Sequence, residues 1–302
     1  MIFKSLDEIV SNMQKCSDKK RMVVAGAEEN HTLEAVSLAR KEGLISATLV
    51  GDSDRIIRIL MDLGEDCSEY DIIHSPENPV DIAVQLVREN KADVLMKGNV
   101  QTATLIKSVI NKDTGIMNGE LLSHILFVQA PAYHKIFAVT DSAIIPNPDL
   151  NQKKAILDNA VAAMMSLGCE IPKVAALTAV EVVNPKMQET VDADELKKLN
   201  QDGKIKNCIV EGPISMDIAF DKNAGDIKGF TSPVVGDPDI LLMPNLLVGN
   251  IAVKTLKVFG QSTVAGLVLG ATAPIVLTSR ATSTRSKYMS IALGAATSAI
   301  AK

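Results

Sequence analysis

The chain has no tryptophan, and aromatic residues make up 3% of its 302 positions. So few rings exclude the stacking platforms on which single-stranded nucleic acids are held. A net charge of −5 argues in the same direction, because general nucleic-acid binders need a basic face. It leaves room for a local basic pocket. The four histidines, His31, His74, His124 and His134, are dispersed without neighbours of matching chemistry, and each reads as structural rather than catalytic. The four cysteines, Cys16, Cys67, Cys169 and Cys208, form no CxxC pair, so reduced, buried thiols are expected rather than disulfides or a zinc site. No GxGxxG, Walker lysine motif, GxSxG elbow or metal-spaced His/Cys cluster occurs. The longest apolar stretch, 264–277, is cut by Gly266, Gly270 and Pro274, so it reads as two strands and a turn rather than a membrane span. Residues 1–16 carry charges inside their apolar pattern, as an amphipathic helix does and a signal peptide does not. A cytoplasmic protein without membrane or nucleic-acid partners is expected.

What is present is apolar and rhythmic. Apolar residues reach 47%, enough for a core in each of the two domains that the length suggests at about 150 residues per domain. Short β runs at 21–25, 47–50, 71–74 and 93–96 alternate with helical periods ending near 42, 63, 90 and 110. Runs at 124–129 and 136–140 read as paired strands around Pro131. The Pro-rich link 145–148 is the clearest compositional break, and a domain crossing is expected near it. Beyond it come a helix at 151–167, a strand at 174–177, a helix at 192–200, strands at 208–210 and 239–243, and a helix at 246–259. The segment 221–238, rich in Gly, Asp and Pro, reads as a long loop, mobile or functional. Repeated βα units imply mostly parallel sheets flanked by helices.

In such sheets ligands bind beyond the carboxyl ends of strands, so the residues there are the candidates. The richest stretch is 272–290. An apolar run, 274–277, is followed by Thr278, Ser279, Arg280, Thr282, Ser283, Thr284, Arg285, Ser286 and Lys287, and then by an amphipathic helix. Strand, polar loop and helix start point backbone N–H groups and a positive dipole end at an anion, and Arg280 can grip phosphate with two parallel bonds. The coincidence of cations and hydroxyls with a helix start favours an anion site over a solvated Ser/Thr-rich cap. Lys97-Gly98-Asn99, with Thr102 and Lys107 on the helix behind, is either a second phosphate cradle or a turn glycine beside a surface lysine. Asp141 and Ser142 either position a ligand or cap a turn. Asn250 and Lys254 share one face of the helix at 246–259.

Five segments, 95–110, 137–150, 209–220, 239–260 and 274–287, together resemble the phosphate acetyl/butyryltransferase family, most closely its butyryltransferase branch. The match keeps its order over most of the chain. The resemblance implies reversible acyl transfer, acyl-CoA plus phosphate giving acyl phosphate plus CoA, with butyryl or branched acyl groups, or acetyl as the alternative. It implies no metal and no cofactor beyond CoA as substrate, and a homodimer or larger homo-oligomer. It also implies a two-domain α/β subunit of isocitrate/isopropylmalate dehydrogenase-like architecture with an active cleft between domains. The domains expected are 1–140 with 266–302, and 141–265.

By motif, Ser279 matches the family's active-site serine and Arg280 the arginine beside it. Lys107 falls where the acetyltransferases have an arginine, and Lys135 replaces another cation. Lys97, Gly98, Asn99, Thr102, Asp141, Ser142, Asn250, Lys254, Ser283 and Arg285 complete the expected phosphate and substrate contacts. The acetyltransferases carry an aspartate seven residues after the serine as base for the CoA thiol, and this chain has Ser286 there. Ionising a thiol of pKa about 8.5 at neutral pH costs only about 2 kcal/mol, so the loss is tolerable while the cations remain. Two rivals stand beside this reading. One is a metal-dependent dehydrogenase using Asp217, Asp221 and Asp226, and the other is a non-catalytic CoA- or acyl-phosphate-binding protein.

Overall fold

The computed structural model describes residues 3–16, 19–119, 121–278 and 282–298. It divides into two compact units, one built from Leu6–Leu122 and Ala265–Lys302, the other from Met1–Ser5 and Ser123–Val264. They are called the terminal and central units below.

The terminal unit opens with α1 (Leu6–Gln14), whose apolar stripe Leu6, Ile9, Val10 and Met13 is buried. Then follow β1 (Lys20–Ala25), α2 (Asn30–Lys41), β2 (Ile45–Gly51), α3 (Ser53–Asp62), β3 (Asp71–His74), α4 (Pro79–Arg88), β4 (Val94–Lys97) and α5 (Thr102–Val109). Local chemistry sets the boundaries. Asp52 accepts from two backbone N–H groups at the start of α3, and Pro79 opens α4, where its missing N–H costs nothing.

The central unit holds β5 (Ser123–Gln129), β6 (Phe137–Thr140), α6 (Leu150–Ser166), β7 (Lys173–Leu177), α7 (Gln188–Gln201), β8 (Ile209–Ile214), α8 (Met216–Phe220), α9 (Lys222–Lys228), β9 (Ile240–Leu242) and α10 (Leu246–Val258). The chain returns through β10 (Thr263–Leu269) and ends with β11 (Ile275–Val276) and α11 (Thr284–Thr297).

In the terminal unit the strand order is β3-β2-β1-β4-β11-β10. Every pair is parallel except β10 with β11. In the central unit it is β5-β6-β9-β7-β8, parallel except for the hairpin β5–β6. Apart from the edge strand β3, none of whose residues is buried, the parallel strands are largely buried on both faces and read as mostly apolar runs. Among the described residues no helix is long and apolar enough to cross a membrane.

Some expectations need correction. The hairpin expected to close the first domain groups with the central unit, because β6 pairs in parallel with β9. The passage between units therefore falls at 122/123, and the Pro-rich link 145–148 merely leads into α6, which Asp149 starts with a capping box. The supposed long loop 221–238 contains α9, capped by Asp221, and buries Val234 and Val235 in the core of its unit. None of the cysteines forms a disulfide, but only Cys169 and Cys208 are buried. Cys16 is exposed and Cys67 half-buried.

One buried charge cluster anchors the outer strands of the terminal unit. The Glu65 carboxylate, 1% exposed, pairs with Arg40 at 3.1 Å and Lys41 at 2.5 Å. It also accepts from the Ser37 and Tyr70 hydroxyls. Burial pushes its pKa up, but these donors, led by Lys41 and Ser37, outweigh burial and hold it at about 2. A carboxylate with a depressed folded pKa contributes stability that is complete above its unfolded value near 4.5 and is lost as pH falls toward about 2. The contribution is on the order of 3 kcal/mol. Glu65→Gln should therefore lower stability at pH 7 by a few kcal/mol and flatten the fall in stability between pH 5 and pH 2, as followed by chemical denaturation across that range.

Candidate functional site

The parallel register brings three strand ends to one edge of the terminal unit. Ala25 of β1 lies beside Lys97 of β4, and Val276 of β11 beside Met96. The chain beyond each strand therefore emerges at the same place: 26–29, 98–99 and 277–278. This is the carboxyl edge, where open α/β sheets bind ligands. The turns are packed tightly. Gly98 donates to Ala25 O at 2.9 Å and Asn99 to Gly26 O at 2.6 Å. Gly26 has φ 70°, the left-handed conformation that glycine adopts without cost. A Cβ on Gly98 would lie 2.0 Å from Gly26 O, so the close approach excludes any side chain there.

Lys97 is not the surface lysine of the alternative reading. It is buried, and its Nζ donates to Gly98 O at 3.0 Å. Asn99 and Thr102 are exposed beside it, and Lys107 is exposed in the last turn of α5.

The sequence reading did not single out the most buried cation at this edge. Lys287, in the first turn of α11, is 1% exposed. Its Nζ lies 3.3 Å from Glu29 Oε2, 3.4 Å from Thr32 Oγ1 and 3.4 Å from Thr278 Oγ1. Thr32 also donates to Glu29. Burial pushes the Glu29 carboxyl up, but the Thr32 hydroxyl and the Lys287 ammonium, with Lys97 adding its charge, hold it below the ordinary carboxylate range. One signal could have revealed Lys287: it shares a helix face with Ser290, Ile291 and Gly294, all buried. Nothing in the sequence marks Glu29.

Other candidates at α11 turn elsewhere. Ser283 caps the helix, accepting from Ser286 N at 3.3 Å. Arg285 is exposed and pairs with Asp7 at 3.0 Å. Ser279 and Arg280 lie outside the described residues.

In the central unit, Asp141 resolves the choice between ligand contact and turn cap in favour of the cap. Its carboxylate accepts from the backbone N–H groups of Ala143, Ile144 and Ile145 at 2.7, 3.0 and 3.1 Å. Ser142 Oγ lies 3.0 Å from His124 Nδ1. Burial pushes the His124 pKa down, against the pull of the Asp141 charge. Asn250 donates to Ser142 O at 3.2 Å, and Gly249 lets α10 approach Asp141 O, where a Cβ would stand 2.6 Å away. Lys254 is exposed on α10. Lys135 lies at the other edge of this sheet, before β6. It pairs with Asp237 and Asp239, each at 2.7 Å, just before β9, so it ties strand starts together. Asp217 is held by Lys228 and Asp221 caps α9. Among the described residues no group of three His, Cys, Asp or Glu side chains could hold a metal ion.

A cavity of about 510 Å³ opens within the central unit, beyond the carboxyl ends of β7 and β9. Leu177, Met216, Met243, Val248 and Ala252 give it apolar walls, and Thr178 and Asn245 add polar groups. Such a lining suits an apolar chain that carries amides.

With this geometry in place, similarity to known proteins becomes informative. Residues 71–295 match the family model described as phosphate acetyl/butaryl transferase. The chain belongs to that family. A phosphate butyryltransferase of Clostridium acetobutylicum is 42% identical over 296 residues, covering 97% of this chain and 98% of its own. A phosphate acetyltransferase of Thermotoga maritima is 36% identical, covering 91% of this chain and 94% of its own. Among solved structures, a branched-chain phosphotransacylase from Enterococcus faecalis superposes with a TM-score of 0.83 at 31% identity, covering 92% of this chain and 99% of that one. The family match includes β4, its Lys97-Gly98-Asn99 turn and most of α11. Glu29 precedes it.

The Gly98 contact yields a direct expectation. Gly98→Ala should force the β1 and β4 turns apart, lowering stability by about 1–3 kcal/mol and weakening phosphate use. Thermal unfolding and the KM for phosphate check this, with Gly119→Ala as control, since the nearest atom to a Cβ there is 3.7 Å away.

Proposed function

We propose that this chain catalyses reversible acyl transfer between CoA and inorganic phosphate: butyryl-CoA plus phosphate gives butyryl phosphate plus CoA. The observation that carries the reading is the 42% identity to a phosphate butyryltransferase over nearly the whole chain. The carboxyl edge of β1, β4 and β11 supports it, with its glycine turn and helix start. The apolar cavity of the central unit offers walls suited to the acyl and pantetheine parts of the substrate.

In the direction of acyl-CoA synthesis, the CoA thiolate attacks the carbonyl carbon of the acyl phosphate. A C–S bond forms, the C–O bond to phosphorus breaks, and phosphate leaves with the electron pair. Negative charge gathers on the carbonyl oxygen in between. Ser279 Oγ donates to that oxygen, a role worth a few kcal/mol, and Arg280 holds the phosphoryl group. Lys107, about one and a half turns beyond Thr102 on α5, serves as a second cation. The transfer is direct, because a serine nucleophile needs an adjacent base and none stands in sequence beside Ser279. Ser286 occupies the place of the acetyltransferases' aspartate, so the phosphoryl group of the bound acyl phosphate takes the thiol proton as the C–S bond forms. The expectations of a homodimer or larger homo-oligomer, with no metal and no cofactor beyond CoA, rest on the resemblance, and that of a cytoplasmic location on the sequence; all stand with this reading.

The test follows free CoA with a thiol reagent while purified protein is mixed with phosphate and butyryl-CoA or acetyl-CoA. Phosphate-dependent release, faster with butyryl-CoA, is expected. Ser279→Ala should lower kcat by about 10²–10³-fold, and Arg280→Ala should raise the KM for phosphate. Faster release from acetyl-CoA would keep the mechanism and move the substrate to the acetyl branch. Binding of acyl-CoA without phosphate-dependent release would contradict the enzyme reading in favour of a binding protein.

A further inference from the structure

Lys287 sits at a junction between the two flanks of the segment 279–286. Thr278, just before that segment, and Lys287, just after it, meet through the 3.4 Å contact of Nζ with Oγ1. The same ammonium reaches Glu29 on the turn after β1 and Thr32 on α2. One charge thus ties together the end of β11, the start of α11 and the turn between β1 and α2.

Folding alone gives no reason for a charge at this position. A buried ammonium costs several kcal/mol of desolvation, and an apolar side chain of similar volume commonly serves stability as well or better. Its helix-face neighbours Ser290, Ile291 and Gly294 are buried without charge. Nor is Lys287 placed as a ligand for phosphate. The Glu29 carboxylate sits on the same ammonium, neutralising it and repelling a second anion. What the arrangement does accomplish is to tie the residue before the segment to the residue after it, and closing a chain at its base limits its conformations.

We propose that Lys287, with Glu29 and Thr278, is a positioning clasp for the 279–286 segment that carries Ser279 and Arg280. The inference rests on the assignment of those two residues to the reaction. Orientation of this kind is where enzymes gain much of their rate, and small misplacements cost large factors. The clasp is a set of positioning residues that need not touch substrate.

Lys287→Met keeps the volume and removes the charge. Hydrogen exchange measured by mass spectrometry should show at least tenfold faster exchange in peptides covering 279–286, with the remaining peptides unchanged. The kcat per folded molecule should fall at least tenfold while the KM for acyl-CoA stays within about twofold. Glu29→Gln should do the same to a lesser degree, and Glu29→Gln combined with Lys287→Met should be no worse than Lys287→Met alone, the non-additivity of groups acting as a unit. Lys287→Arg should restore part of the protection and of kcat. Should Lys287→Met fail to fold, Glu29→Gln and Lys287→Arg carry the same readouts. Unchanged exchange at 279–286 in the folded variants would overturn the clasp whatever the activity shows. A loss of melting temperature with exchange and kcat per folded molecule unaltered would likewise reduce Lys287 to a packing residue. Loss of the proposed function itself is recognised separately, by absence of phosphate-dependent thiol release in the unmodified protein.

Discussion

The contact of the buried Lys287 ammonium with Glu29, Thr32 and Thr278 joins three elements at the carboxyl edge of the terminal unit. The parallel register of β1, β4 and β11 delivers three chain turns to one place. Glycine at 26 and 98 lets two of those turns pack backbone to backbone. The third leads into the proposed catalytic segment, and Lys287 joins its flanks to Glu29 and Thr32. Charge balance is then local: Glu29 faces Lys287 directly and feels Lys97 as well. Taking these groups out of water is unfavourable, so each needs its partners, and removing one leaves the others exposed to the full desolvation cost.

The central unit uses its polar residues differently. Asp141 spends its carboxylate on three backbone N–H groups, Asn250 and Gly249 fasten α10 to the same turn, and Lys135 joins the starts of β6 and β9. Asp141, Gly249 and Asn250 thus pack at the ends of β6 and β9, and Lys135 at their starts. The cavity beside that turn has apolar walls, with Lys153, Gln188 and Glu189 among its polar lining. One unit therefore gathers buried cations and hydroxyls, and the other offers an apolar pocket.

Much of this was legible in the sequence, for identifiable reasons. Strands buried on both faces announce themselves as apolar runs. The Lys97-Gly98-Asn99 turn was recognisable because close backbone approach demands glycine. Domain assignment failed at the hairpin because pairing of β6 with β9 joins residues about a hundred positions apart, and a Pro-rich link looks the same whether it separates domains or introduces a helix. Charge type identified Arg285 and Lys107 as candidates, but burial separates the cations: Arg285 turns to Asp7 and Lys107 faces solvent, while Lys287 is enclosed. Glu29 was invisible because its partner lies 258 residues away, and only the fold brings them together.

The central claim is that phosphate and the acyl group are held together and react directly, without a covalent serine intermediate. Initial rates of thiol release, measured over a grid of butyryl-CoA and phosphate concentrations, test it most directly. Direct transfer within a ternary complex predicts double-reciprocal lines that intersect. Parallel lines, the signature of an acyl-enzyme that releases CoA before phosphate reacts, would contradict the account.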